Sequence, residues 1–177
     1  MNESTVISVF GSGQVNPGSE EYQLAQRAGE VLGQLGYSVA TGGYAGVMEA
    51  VSSGARKFNV EVIGVICRLW QTKPNKYITR VIETDNLTER LAKLIELGKA
   101  GYVVFPGATG TLRELAEAWE LMEKHIISDR PIVCITQFWK PVITLVGKVR
   151  PNATERICFA ETPEDLAKFV PNLHHKS

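Results

Sequence analysis

The sequence has no excess charge of either sign and little of what builds metal sites or disulfides. Lys+Arg and Asp+Glu each number 19, and there are three cysteines and three histidines. Balanced charge excludes the global positive field that gathers a nucleic-acid backbone, and no acidic tail suggests a basic partner. Any anion is therefore expected to be recognised locally. Cys67, Cys134 and Cys158 lie far apart inside apolar runs, with neither metal-ligand spacing nor the even count of a disulfide framework. They read as buried thiols of a reducing compartment. No apolar run approaches membrane-spanning length, and Met1-Asn2-Glu3-Ser4-Thr5 lacks the basic segment and apolar stretch of a signal peptide. The expectation is a soluble cytoplasmic protein with no metal, no membrane association and no nucleic-acid partner.

What is present is enough apolar material for one core: 44% hydrophobic residues in a chain of 177, read as a single domain over 1–177. Short β-branched runs alternate with segments of helical period. Strands are expected at Val6–Phe10, Tyr37–Ala40, Val60–Ile66, Tyr102–Phe105 and Pro131–Ile135. Helices are expected over about Glu20–Leu35, Ala45–Arg56, Leu87–Leu97 and Thr109–Lys124. The strands lack in/out alternation, as strands buried on both faces do. The fold class is therefore α/β: a doubly wound, mostly parallel sheet in a Rossmann-like three-layer αβα arrangement with right-handed crossovers. Residues 68–83 break the rhythm and read as a long loop or flap covering the site, with a short strand near Ile78–Ile82. Ile157–Phe159 and Thr162–Ala167 read as a last strand and a capped terminal helix, and His174-His175 as a loose tail.

Glycines fall where strands end, the place where open α/β sheets bind ligands. Gly11-Ser12-Gly13 follows the first strand, Gly42-Gly43-Tyr44-Ala45-Gly46 the second, and Pro106-Gly107-Ala108-Thr109-Gly110-Thr111 the strand ending at Phe105. The last loop runs straight into a helix, whose unpaired first-turn N–H groups and positive dipole end attract phosphate. A plain capped turn explains any one such loop; three together favour an anion site. Asn16 stands where a dinucleotide fingerprint needs its third glycine, and Ser19 where a P-loop needs lysine, so a standard NAD site and Walker-type hydrolysis are both disfavoured. Met48 reads as core, Glu49 as a first-turn partner of the helix dipole, and Leu115, Trp119 and Met122 as core or dimer packing.

The pair Gly42-Gly43-Tyr44-Ala45-Gly46-Val47-Met48 and Pro106-Gly107-Ala108-Thr109-Gly110-Thr111-Leu112-Arg113-Glu114, with Asn86-Leu87-Thr88-Glu89-Arg90 between, resembles the LOG family of phosphoribohydrolases, which includes proteins long labelled possible lysine decarboxylases. The resemblance runs in order from the Gly-Ser loop to about Trp139. It implies a Rossmann-like homodimer, without cofactor, that cleaves the N-glycosidic bond of a nucleoside 5′-monophosphate, AMP or an N6-modified cytokinin type, to base and ribose 5-phosphate. Carried over by position, the family's catalytic Glu falls on Glu114 and its Arg on Arg90. Leu91 stands in place of the usual lysine, Ala108 in place of a glycine, and Glu49 in place of another. These departures keep a second reading open: a binding or carrier protein for a nucleotide or a phosphorylated cofactor such as molybdenum cofactor.

The chemistry is consistent with the residues. A carboxylate one turn along from a phosphate cradle stabilises an oxocarbenium-like state, and a guanidinium offers a planar fork to phosphate or to the departing base. Outside the motif the ordinary readings of Glu114 and Arg90 are a helix-dipole partner and a solvated helix residue paired with Glu89 or Glu96. No lysine is placed as a Schiff-base candidate, and no Gly-x-Ser-x-Gly elbow is present.

Overall fold

The computed structural model describes residues 5–171 and 173–175. The segment read for a targeting signal lies, apart from Thr5, outside the described residues. The chain forms β1 (Val6–Phe10), α1 (Glu20–Gln34), β2 (Ser38–Thr41), α2 (Val47–Ala55), β3 (Val62–Cys67), β4 (Arg80–Thr84), α3 (Leu87–Leu97), β5 (Gly101–Val104), α4 (Thr109–Glu123), β6 (Ile132–Ile135), α5 (Lys140–Gly147) and β7 (Ile157–Ala160). Short 3-10 helices cover Pro151–Arg156, Pro163–Lys168 and Leu173–His175.

All seven strands join one sheet in the order β4-β3-β2-β1-β5-β6-β7, and every pairing is parallel. The chain steps outward from β1 to β4, crosses back through α3, and resumes at β5 on the other side of β1. That reversal creates the crevice in which doubly wound sheets bind ligands, and it sets the loops after β1 and β5 side by side.

Helices cover both faces, which explains the missing alternation. Along β1, Val6 and Phe10 pack toward Leu94, Leu115 and Trp119, whereas Ile7 and Val9 pack toward Ala28, Leu32 and Val51. Each such side chain removed from water contributes about 1.5–3 kcal/mol. Leu115, Trp119 and Met122 lie in the core beside α3, and the Trp119 indole N–H donates to the Ala153 carbonyl at 2.9 Å. One polar residue of β1 also faces α3: the buried Ser8 hydroxyl donates to Leu94 O at 2.6 Å.

Local chemistry sets the helix boundaries. Ser19 caps α1 through Tyr22 N, and Asn86 caps α3 through Thr88 N and Glu89 N. α5 is not foreseen in the sequence. It has no side-chain cap at its start, yet Ile143 and the preceding Trp139 are buried. The expected terminal helix is a six-residue 3-10 helix closed by a Thr162–Asp165 capping box. Leu173, just ahead of His174-His175, is held to the end of α1 through Leu173 N to Leu35 O at 3.0 Å.

Candidate functional site

Ser12 ties the three glycine loops together. Its backbone N–H donates to Pro106 O at 3.3 Å, its carbonyl accepts from Val47 N at 2.9 Å, and its hydroxyl accepts from Gln14 N at 3.1 Å. The knot is tight enough to require glycine at its centre. Gly46 sits at φ 68°, and a Cβ there would lie 2.4 Å from Ser12 O.

The third loop delivers α4 into this knot with its amides open. The N-cap, Ala108, makes no side-chain cap, and the first turn carries no acidic residue. The N–H groups of Thr109, Gly110 and Thr111 are thus left to whatever enters the crevice. Ala108 has φ −94°, an ordinary conformation for alanine, so replacing the family's usual glycine there distorts nothing.

Behind the amides lie Arg90 and Glu114. α3 buries one face against the sheet, and Arg90, 9% exposed, points inward with it, so it is not the solvated residue that Glu89 or Glu96 would hold. Its Nε donates to Val65 O at 2.8 Å, its Nη1 stands 3.8 Å from Glu114 Oε1, and its guanidinium carbon lies 5.8 Å and 5.5 Å from the Tyr44 and Trp70 ring centroids. Gly42 makes room for it: a Cβ there would fall 1.7 Å from Nη2. Glu114 follows Gly110 by one helical turn on the same face of α4. Burial pushes its carboxyl up to about 7, with Arg90 and then Arg113 pulling in the opposite direction. Burial also lowers the pKa of Arg90, against the Coulomb pull of Glu114.

The cleft so formed has a volume of about 240 Å³. Of the residues singled out in the sequence it brings together Gly11, Ser12, Gly13, Arg90, Ala108, Gly110, Thr111 and Glu114 on its lining. Gly42, Gly43, Gly46, Pro106, Gly107 and Thr109 are not on that lining. The first three shape the loop that receives Arg90 and Ser12, and Pro106 supplies the carbonyl that holds Ser12. Leu91 is buried in the core, 6% exposed, and is not on that lining. Glu49 lies in the first turn of α2, away from the lining.

Four lining residues escaped the sequence reading: Gln14, Tyr44, Met48 and Trp70. Met48 is not core; its sulfur faces Arg90 Nη2 at 3.9 Å. Tyr44 anchors its hydroxyl on the Cys67 backbone, accepting from N at 2.9 Å and donating to O at 3.2 Å. Trp70 comes from the segment expected to cover the site, and that segment is pinned rather than free. Asn75 Nδ2 donates to Gly43 O and Tyr44 O at 3.2 Å and 3.0 Å, while Arg68 pairs with Glu83 and Asp85 at 3.1 Å and 2.6 Å. An aromatic inside a flap is the signal that could have found it.

A larger hollow of about 670 Å³ lies beyond the far end of α4, but no glycine loop reaches it, and its Arg150 and Arg156 are both engaged by Glu123. Among the described residues no cluster of His, Cys, Asp or Glu could hold a metal ion, and no helix is long and apolar enough to cross a membrane.

Comparison with known proteins places this geometry in a family. The chain is 28% identical over 163 residues to a protein of Mycobacterium tuberculosis named cytokinin riboside 5′-monophosphate phosphoribohydrolase, covering 85% of each. It is 32% identical over 130 residues to an uncharacterized protein of Archaeoglobus fulgidus, covering 73% of this chain and 82% of that one. The fold superposes with a TM-score of 0.75 on the molybdenum cofactor binding protein of Rippkaea orientalis, at 22% identity and covering 92% of this chain and 93% of that one. The family model described as the SLOG cluster4 family matches residues 4–166, and the chain therefore belongs to that LOG-like family.

Proposed function

We propose that the cleft binds a nucleoside 5′-monophosphate, AMP or an N6-modified relative, and hydrolyses its N-glycosidic bond to free base and ribose 5-phosphate. The observation that carries this reading is the Arg90–Glu114 pair, 3.8 Å apart and one helical turn behind the open amides of α4. The phosphate sits on the amides of Gly110 and Thr111, where the helix end supplies positive potential without a mobile side chain. The ribose then lies against Glu114. As the C1′–N bond breaks, positive charge develops on the sugar and negative charge on the base, and the two side chains face that separation with the opposite signs. Water bonds to C1′; its proton passes to the Glu114 carboxylate and then to the departing base nitrogen, so Glu114 ends as it began.

A group with a pKa of about 7 is suited to both halves of that transfer. Among the described residues that line the cleft, Glu114 is the sole carboxylate and Arg90 the sole cation. The names of the mycobacterial relatives support the reaction at the level of the family. The test is incubation of the protein with AMP and isopentenyladenosine monophosphate, with chromatography for base and ribose 5-phosphate in equal amounts.

A second reading has one observation in its favour. The Rippkaea orientalis protein and the molybdenum cofactor carrier protein of Chlamydomonas reinhardtii, the latter at a TM-score of 0.68, share this fold, and their names are of a cofactor held rather than a nucleotide cleaved. Mass spectrometry of material that copurifies with the protein separates the two. Free base or ribose 5-phosphate supports hydrolysis, and a pterin supports carriage.

A further inference from the structure

We infer that Trp70 is the platform on which the ligand's base stacks, making it the residue through which this cleft prefers a nucleotide to a bare sugar phosphate. The inference rests on the reading of the cleft as a nucleotide site and adds the position of the base.

The contacts of Arg90 order the cleft into three zones. The amides of α4 lie at one end. Glu114 stands one turn further along α4, and Arg90 stands beyond it, 3.8 Å away. Past the guanidinium are the two rings, Tyr44 and Trp70, meeting edge to face with centroids 5.5 Å apart. A nucleoside monophosphate has the same sequence of parts: an anion, a sugar, and a flat apolar ring system. With phosphate at the amides and sugar at Glu114, the base falls in the aromatic zone.

Of the two rings, Trp70 is the one with surface to offer. Tyr44 is spent structurally, its hydroxyl engaged at both the N–H and the carbonyl of Cys67. Trp70 remains 44% exposed, although it is a large apolar residue beside a polar cleft, where burial would be expected if it served only the core. It is held in position without being covered: Arg68 anchors the segment on its amino side, and Asn75 ties the carboxyl side to the second glycine loop. A prearranged aromatic face costs little entropy on binding, and stacking tolerates substituents at the edge of the base. The guanidinium of Arg90 lies over one face of the Trp70 ring, 5.5 Å from its centroid, and leaves the other face to the base.

The test is calorimetry with ribose 5-phosphate and with AMP on the full chain, its Trp70→Ala variant and its Trp70→Phe variant, all carrying Glu114→Gln so that AMP stays intact. Stacking of one base on an aromatic side chain corresponds to roughly 5- to 150-fold in affinity. The expected result is that AMP binds more tightly than ribose 5-phosphate with Trp70 present, that Trp70→Ala weakens AMP by such a factor and leaves ribose 5-phosphate unchanged, and that Trp70→Phe keeps most of the margin. Equal AMP affinity in the tryptophan and alanine proteins, with ribose 5-phosphate bound, overturns the assignment of Trp70 and leaves the nucleotide reading standing. Equal losses for both ligands overturn it too, because the residue then shapes the cleft and does not receive the base. Failure of AMP to bind the tryptophan-containing protein overturns the nucleotide reading and this inference with it.

Discussion

Arg90 Nη1 and Glu114 Oε1 face each other at 3.8 Å, inside ion-pair range and beyond hydrogen-bond length. Both side chains are largely buried, 11% and 16% exposed, so each forgoes water without gaining a hydrogen bond from the other. Such a pair is a poor device for stability and a sound one for receiving a polar ligand between its members.

The first consequence concerns Glu114→Gln. The amide keeps the shape and loses the proton-transfer group, so base release from AMP should fall about 10²- to 10⁴-fold while the melting temperature holds or rises. Steady-state kinetics beside a thermal melt checks both halves; unaltered turnover would take Glu114 out of the mechanism.

pH dependence follows from the same carboxyl. Its folded pKa, about 7, lies above the ordinary value of 4.5, so the folded state holds an extra proton between those limits. Its contribution is therefore a stability that is fully present below 4.5 and lost as pH rises through about 7, by up to about 3 kcal/mol. Urea unfolding of the wild type and Glu114→Gln at pH 5 and pH 8 isolates the effect, because other titrating groups cancel in the comparison. In kcat/KM, which reports the free enzyme, activity that uses the carboxylate should rise with pH through about 7.

Arg90 is expected not to tolerate lysine. Its fork spans Val65 O on one side and Glu114 on the other, and an ammonium on a thinner stem cannot do both. Arg90→Lys should lose at least about tenfold in kcat/KM, and Arg90→Ala more, because Glu114 then loses the charge that opposes its protonation. Kinetics of the two variants against circular dichroism separates this from unfolding.

Two glycines are expected to lose function by different routes. A Cβ at Gly110 meets no atom within 4 Å and projects from the first turn of α4 on the cleft lining, so Gly110→Ala should leave stability equal or raise it by up to about 1 kcal/mol while weakening phosphate binding. A Cβ at Gly42 collides with Arg90 Nη2, so Gly42→Ala should cost activity by displacing the guanidinium. Denaturation midpoints and ribose 5-phosphate titrations of both variants test the contrast.

Much of this architecture is legible in the residues. Asn86 announces the start of α3, and the apolar runs of β1, β3 and β5 announce strands buried on both faces. The glycine loops mark the crevice because glycine is needed wherever backbone meets backbone. The inward aim of Arg90 is not legible, since it depends on α3 crossing behind β1 and laying that face against the sheet. Met48 and Trp70 are hidden for a similar reason. A methionine in an apolar helix face reads as core, and a tryptophan in an irregular segment has no period to place it. The sequence also suggests a long loop or flap over 68–83 but not what fixes it, because ion pairs at Arg68 and hydrogen bonds from the Asn75 amide, with partners distant along the chain, hold the segment in place.

The central claim is that this cleft breaks a glycosidic bond with Glu114. It is tested most directly by incubating the wild type and Glu114→Gln with AMP under identical conditions and quantifying adenine and ribose 5-phosphate by chromatography. The account predicts equimolar products from the wild type and a loss of about 10²-fold or more in the variant, with the nucleotide still bound by both. Bound nucleotide recovered uncleaved from the wild type across AMP and its N6-modified relatives would contradict it and leave a binding protein in its place.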